Sequence, residues 1–393
     1  MSLNDNPNLA KLYPNFSGEL KKTEVDRNNF NLSIKERQKT NKDLFQDEET
    51  SPESKQFSKI ILEKYSPNDI IKVISSLKNI KVLVIGDVIL DKYVYCECME
   101  KSAKDALLAH KFINAEIHAG GSLAIANHLA GFSDNVILLS CTGNNYRDLI
   151  NKSINKKIQK VLYNQKEDKT LIKTRFIDSY KGTKNFLFYN TDELNLNEEN
   201  EKNILEFLNN NLDKLDLIII SDFGHGMVSE KLRNYLTDSK KFISLNCQLN
   251  AGNLGYNFIT NYKRANFVSI NDRELRLPFQ SKRGDLETPI KKLSEHLKLD
   301  KINVTLGKRG SIYYNKGIFY NTPAFIKKPI DTIGSGDAVF ALGSLLAFRD
   351  VDPHLTSFLT NSMGALATKI VGNRNPVNPD QLIRFVLKLL NGE

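Results

Sequence analysis

Only four cysteines occur in 393 residues, too few for a disulfide-stapled scaffold. Cys96 and Cys98 form a C-x-C with no second pair at zinc spacing, so they read as reduced thiols. No apolar run reaches the roughly 18 residues that a membrane span needs, and the opening "MSLNDNPNLAKLYPN" is unlike a signal peptide. A soluble, cytoplasmic protein is expected, with no membrane partner. Lys and Arg number 55 against 46 Asp and Glu, a net charge of +9, yet no block of five or six basic residues is found. Scattered charge of this kind does not argue for nucleic acid and suits an anionic small substrate equally well. A G-x-x-x-x-G-K-[ST] motif is also missing, which excludes a P-loop enzyme. Asp222-Phe223-Gly224 spells the magnesium motif of protein kinases, but without H-R-D or V-A-I-K the match is coincidental.

The chain that remains divides unevenly. Residues 1–55 are polar and charged with few apolar positions at either period, which predicts a poorly ordered tail. From residue 56 to 393 the pattern is that of one folded domain. Ser66-Pro67 opens a helix with apolar residues at Ile70, Ile71, Val73, Ile74 and Leu77. Strand-length apolar runs then recur at Val82–Ile85, Val136–Leu139, Leu217–Ile220, Phe242–Leu245, Phe267–Ile270 and Ile302–Leu306. Helical spacing fills most of the gaps, as in "EENEKNILEFLNNNLDKL" and "LETPIKKLSEHLKL". Runs that are apolar throughout and separated by helices predict an α/β fold, a mostly parallel sheet covered on both faces. Segments 93–118 and 170–190 break this rhythm and read as paired strands of a small β layer.

Polar and glycine-rich residues cluster where the strands end, which is where parallel sheets bind ligands. The most informative stretch is "DTIGSGDAVFALGSLLAF", residues 331–348. Gly334, Ser335 and Gly336 put bare backbone N–H groups at the start of an apolar helix, a ready anion site. Asp337 on the same turn would repel a phosphate unless it accepts a proton from the hydroxyl that attacks it, which is the arrangement phosphoryl transfer requires. The alternative is an Asp-capped helix after a tight turn.

These residues resemble the PfkB, or ribokinase-like, carbohydrate kinases. "DTIGSGD" is close to the family's D-T-x-G-A-G-D, and "HAGGSLAIANHLAGF", Asn271-x-x-Glu274 and "VTLGKRG" follow in the family's order over roughly residues 78–390. "GDVILDKYVY" and "SDFGHG" are most similar to the kinase module of bifunctional heptose-phosphate kinase/nucleotidyltransferases. The resemblance implies a ribokinase-like fold with segments 93–118 and 170–190 as a lid. It implies ATP and Mg2+, with a monovalent cation as a further candidate, and transfer of the γ-phosphoryl group to a sugar or sugar phosphate, heptose phosphate being favoured. Asp337 would be the base, and Gly334, Ser335 and Gly336 the anion hole. Asp91, Gly120 and Gly121 would contact the sugar, and Lys173 and Arg175, on one face of a strand, its phosphate. Asn271 and Glu274 would hold the magnesium water shell. Thr305, Gly307 and Gly310 would border the nucleotide, with Asn361 near the base. A separate nucleotidyltransferase and a homodimer through the lid are the partners it suggests.

Plainer readings stand beside these roles. Asp91 could be a turn residue, Gly120-Gly121 a strand breaker, Glu274 a first-turn helix acid, Asn361 a helix-surface amide, and Lys173 and Arg175 solvated lid charges. The sequence also departs from the family pattern. Ala124 stands where an asparagine is usual, His225 replaces a lysine, and Asn246-Cys247-Gln248 replaces a D-P-K-like step. An inactive sugar- or nucleotide-sensing module partnered with a nucleotidyltransferase is the alternative these departures motivate.

Overall fold

A computed structural model describes residues 51–165, 169–190 and 196–391. Residues 1–50 of the expected tail lie outside these. The predicted boundary at residue 55 falls inside a helix, α1 (Pro52–Lys64), capped by Ser51 and anchored by buried Phe57 and Ile61. Ser66 caps α2 (Pro67–Ser76) as predicted, in a reciprocal box with Asp69.

All six apolar runs form strands of a nine-stranded sheet. In chain order these are β1 (Lys81–Gly86), then, after the lid strands β2 (Val88–Lys101) and β3 (Leu108–Gly121), β4 (Asn135–Thr142) and β5 (Gln159–Asn164). The lid strands β6 (Leu171–Asp178) and β7 (Lys184–Tyr189) precede β8 (Leu217–Asp222), β9 (Phe242–Cys247), β10 (Phe267–Asn271) and β11 (Lys301–Thr305). A hairpin of β12 (Ser311–Asn315) and β13 (Ile318–Thr322) completes it. The spatial order is β13-β12-β11-β10-β9-β8-β1-β4-β5, parallel from β11 to β5 and antiparallel only at the β11-β12-β13 end.

Side chains alternate between the two faces of each central strand. Leu83, Ile85, Ile218, Ile220, Ile243, Leu245, Val268 and Ile270 face one core. Covering them are α5 (Glu198–Asn211), α6 (Glu230–Asp238) and α8 (Glu287–Leu297), which contribute Leu208, Leu232 and Leu293. On the other face lie α3 (Ser122–Phe132), α9 (Ser335–Phe348) and α10 (Pro353–Ala367), followed by α11 (Pro379–Asn391). Two short helices, α4 (Arg147–Ser153) and α7 (Asp272–Arg276), follow β4 and β10.

The lid is a separate four-stranded sheet of order β3-β2-β6-β7, so the expected segments 93–118 and 170–190 lie within its two antiparallel pairs. No helix among the described residues is long and apolar enough to cross a membrane.

Candidate active site

The parallel strands β1, β8, β9, β10 and β11 deliver their carboxyl ends to one edge of the main sheet. Across that edge stand the N-terminus of α9 and the inner face of the lid.

Gly334 caps α9 at φ 80°, a left-handed conformation suited to glycine. A Cβ there would lie 1.9 Å from the Asn373 side chain, so the turn also depends on close approach. Ser335, Gly336 and Asp337 form the first helical turn, whose N–H groups lack helical partners. Ser335 N makes only a long 3.4 Å contact to Thr332 O. Asp337 is half-buried. Burial, followed by the negative charges of Asp91 and Glu274, pushes its carboxyl up to about 7, while Lys173 opposes the rise. A carboxylate held near neutrality is poised to take up a proton.

The lid contributes the opposing charges. Asp91 on β2 is buried and accepts from Arg175 Nη1, an ion pair with both partners largely shielded. Lys173, two residues before Arg175 on β6, is 5% exposed. Burial lowers its pKa, and Asp91, Asp87 and Asp337 counter that. Its ammonium lies 5.3 Å from the centre of the Tyr189 ring and 5.5 Å from that of Phe223. Lys173 and Arg175 therefore do share one face, turned toward the site. A Cβ at Gly120 would meet Asp91 Oδ2 at 2.5 Å, and one at Gly121 the Asp87 carbonyl at 2.4 Å. These glycines let β3 pass against the acidic residues of the preceding strand, a packing demand that sits beside any contact with sugar.

At the end of β10, Asn271 and Glu274 form a reciprocal capping box at the start of α7. Glu274 N donates to Asn271 Oδ1 (2.9 Å), and Asn271 N donates to Glu274 Oε2 (2.8 Å). Leu249 N reaches the other Glu274 oxygen at 3.4 Å. Asn271 is exposed while Glu274 is buried, and burial raises the Glu274 carboxyl to about 7. Thr305 pairs in register with Asn271 on the neighbouring strand. Gly307 and Gly310 turn the chain at φ 58° and 87°, and a Cβ at Gly310 would strike Thr322 O at 1.9 Å. Asn361 on α10 donates to Ser311 Oγ and to Ser357 O, tying α10 to the start of β12. No cluster of three or more His, Cys, Asp or Glu side chains among the described residues could hold a metal ion.

Further residues around these strand ends gain partners that the sequence does not reveal. Asp331, the first residue of the signature stretch, accepts from Tyr93 Oη (3.2 Å), Lys184 Nζ (2.6 Å), Gly372 N (2.9 Å) and Ile333 N (3.1 Å). It thereby joins two lid strands to the turn that carries Asp337. Asp87 is fully buried and accepts from the N–H groups of Phe223, His225 and Met227, fixing the "SDFGHG" loop. His128 on α3 accepts from Val377 N (3.2 Å), and burial holds it neutral with a pKa lowered to about 4. The three departures are placed as well. Ala124 is buried on α3, His225 is buried with Nε2 3.3 Å from Asn250 Nδ2, and Asn246 Nδ2 donates to Ser269 O.

A family model described as "pfkB family carbohydrate kinase" matches residues 79–348. The chain belongs to this family. Membership of the pfkB carbohydrate kinases makes it a phosphotransferase with an alcohol acceptor. Among curated proteins it is similar to the bifunctional protein HldE of Campylobacter jejuni strain RM1221, 24% identical over 302 residues, 75% of this chain and 62% of that protein. The bifunctional protein HldE of Aliarcobacter butzleri is 24% identical over 304 residues, with the same two coverages. The chain thus spans about three-fifths of these relatives' length. Solved structures give the fold. The phosphofructokinase-2 of Escherichia coli in complex with potassium aligns over 79% of this chain and 99% of its own, with a TM-score of 0.62 at 12% identity. A ribokinase of Thermotoga maritima aligns over 78% and 99%, with a TM-score of 0.59 at 15% identity.

Proposed function

We propose that this pfkB kinase transfers the γ-phosphoryl group of ATP to a hydroxyl of a sugar or sugar phosphate, with a heptose phosphate-like substrate favoured. The observation that carries the reading is Asp337. Its carboxyl is held near neutrality on a helix N-terminus and faces the charged inner wall of the lid.

The attacking hydroxyl gives its proton to Asp337 as its oxygen bonds to the γ-phosphorus and the bond to the β-phosphate oxygen breaks. The N–H groups of Gly334, Ser335 and Gly336 bind the equatorial oxygens of the group in transit. The Asp91–Arg175 pair presents an acceptor and donors to the sugar, and Lys173 offers a shielded cation to a substrate phosphate. Gly120 and Gly121 let the backbone come close to the same sugar. The lid keeps water from competing as acceptor.

Asn271 and Glu274 would orient the water shell of magnesium, which neutralises charge on the nucleotide phosphates. Glu274 fits such a role: it is a shielded carboxylate at the strand ends within electrostatic range of Asp337. A hard cation held mainly by phosphates and water needs no protein cage. Thr305, Gly307, Gly310 and Asn361 would border the nucleotide.

The resemblance of "GDVILDKYVY" and "SDFGHG" to the kinase module of bifunctional kinase/nucleotidyltransferases supports a nucleotidyltransferase as a functional partner. Exposed Met99, Leu108, Phe112, Phe186 and Phe188 on the lid sheet support a homodimer through that face. The test is ADP release from magnesium-ATP over a panel of sugars and sugar phosphates, heptose 7-phosphate included, with and without potassium. Sugar-dependent turnover abolished in Asp337→Ala supports the reading. ATP bound without turnover on any sugar would overturn it in favour of a sensing module.

A further inference from the structure

We propose that helix α1, which lies before the segment matching the family, forms one wall of the pocket for the nucleobase of the phosphate donor. This rests on the kinase reading above and adds to it a recognition element particular to this chain.

A cavity of about 320 Å³ opens between α1 and the β11-β12-β13 corner of the main sheet, within the range of roughly 300–1,000 Å³ usual for small-molecule sites. From α1 it is lined by Gln56, Phe57 and Ile60, and from the sheet corner by Leu306, Ser311 and Thr322. Three observations connect it to the active site. Leu306 and Ser311 alternate in the chain with Thr305, Gly307 and Gly310, the residues that would border the nucleotide. Ser311 is bonded to Asn361. Arg309, on the rim of the cavity, pairs at 2.9 Å with Asp272, the residue after Asn271. A path therefore runs from Asp337 past Glu274 and Asn271, over the end of β11, to a cavity walled on one side by α1.

The chemistry of the lining suits a flat heteroaromatic ring. Ile60 and Leu306 offer apolar surface, and Gln56 and Ser311 offer hydrogen-bonding edges. The Thr322 hydroxyl is buried without a hydrogen-bond partner, which leaves a polar group to be satisfied. α1 is held firmly enough to act as a wall. Phe57 stacks on Phe358 of α10 and tilts against Phe325, each at 6.3 Å between ring centres, and Ser54 Oγ donates to Ala324 O.

The test is calorimetric titration of the full chain with magnesium-ADP, comparing wild type with Ile60→Trp and Gln56→Trp, which would fill the cavity. Lys59→Trp, exposed and outside the lining, is the control. A loss of about tenfold or more in ADP affinity for both filling variants is expected, the scale of a mismatch in an apolar pocket. Lys59→Trp should bind as wild type, and melting temperature should hold. Should a filling variant melt early, Gln56→Ala, a truncation at an exposed position, decides by the same loss of ADP affinity. Unchanged ADP affinity in these variants, with wild-type turnover intact, would overturn the α1 wall and leave the kinase reading standing. Wild type that neither binds ADP nor turns over any sugar would overturn both.

Discussion

Replacing Asp337 by asparagine should inactivate the enzyme and stabilise it, and the stabilisation should depend on pH in a calculable way. The carboxyl sits near 3.8 in an unfolded chain and near 7 in the folded protein. Between these values the native state holds a proton that the unfolded state has released. Stability attached to this group is therefore fully present below about 3.8 and is lost as pH rises through about 7. A difference of about three pKa units corresponds to at most about 4 kcal/mol, most of it reached by pH 8. At pH 5 the same linkage gives only about 1.6 kcal/mol. Asparagine has the same shape and no charge to lose, so its advantage over wild type should grow by about 2–3 kcal/mol between pH 5 and pH 8. Urea unfolding of both proteins at the two pH values, with midpoints and slopes compared, measures this difference directly. An advantage that stays flat or shrinks toward pH 8 would refute the argument that burial and the neighbouring carboxylates hold Asp337 near neutrality.

Three further outcomes are expected. The sugar kcat/KM of wild type should fall below about pH 7 as Asp337 takes up a proton; Lys173→Met, which removes the cation opposing that uptake, should move the acid limb of the pH–rate profile to higher pH. Gly334→Ala places a methyl 1.9 Å from Asn373 at a φ of 80°, so it should cost about 2 kcal/mol or more by thermal unfolding and remove most activity. Arg175→Met deprives buried Asp91 of its ion-pair and hydrogen-bond partner and leaves it only the nearby Lys173 charge, expected to cost about 3 kcal/mol in urea unfolding and to raise the KM for sugar while that for ATP holds.

The central strands were legible because residues such as Val82–Ile85 and Leu217–Ile220 are covered on both faces and read as unbroken apolar runs. β5, β12 and β13 were less so. They lie toward the edges of the sheet, where exposed or half-buried residues such as Lys160, Asn321 and Tyr320 dilute the pattern. Asp337 and its turn could be read locally, because a helix N-terminus and its glycines are contiguous in sequence. Asp331 lay in the same quoted stretch, but its significance comes from Tyr93, Lys184 and Gly372, which are remote in the chain. The same distance concealed the pairing of Asp91 with Arg175, and the approach of Asn373 to both Gly334 and Asp337. The start of α1 reads as tail because its anchors, Phe57 and Ile61, lie beyond the polar stretch that sets the boundary.

Asp331 gives the four bonds described above a temporal meaning. Lifting β7 away from the main sheet separates Lys184 from the carboxylate, and shifting β2 separates Tyr93, so the lid cannot swing wide while that carboxylate keeps all its partners. The residue that loses them opens the segment ending in Asp337, the proposed base. On the proposed reading, opening of the lid to a sugar and slackening of the turn that carries Asp337 are one event, and so are closure and the return of that turn to its working geometry. A kinase wired in this way is least able to hand a phosphoryl group to water at the moment when water has freest entry.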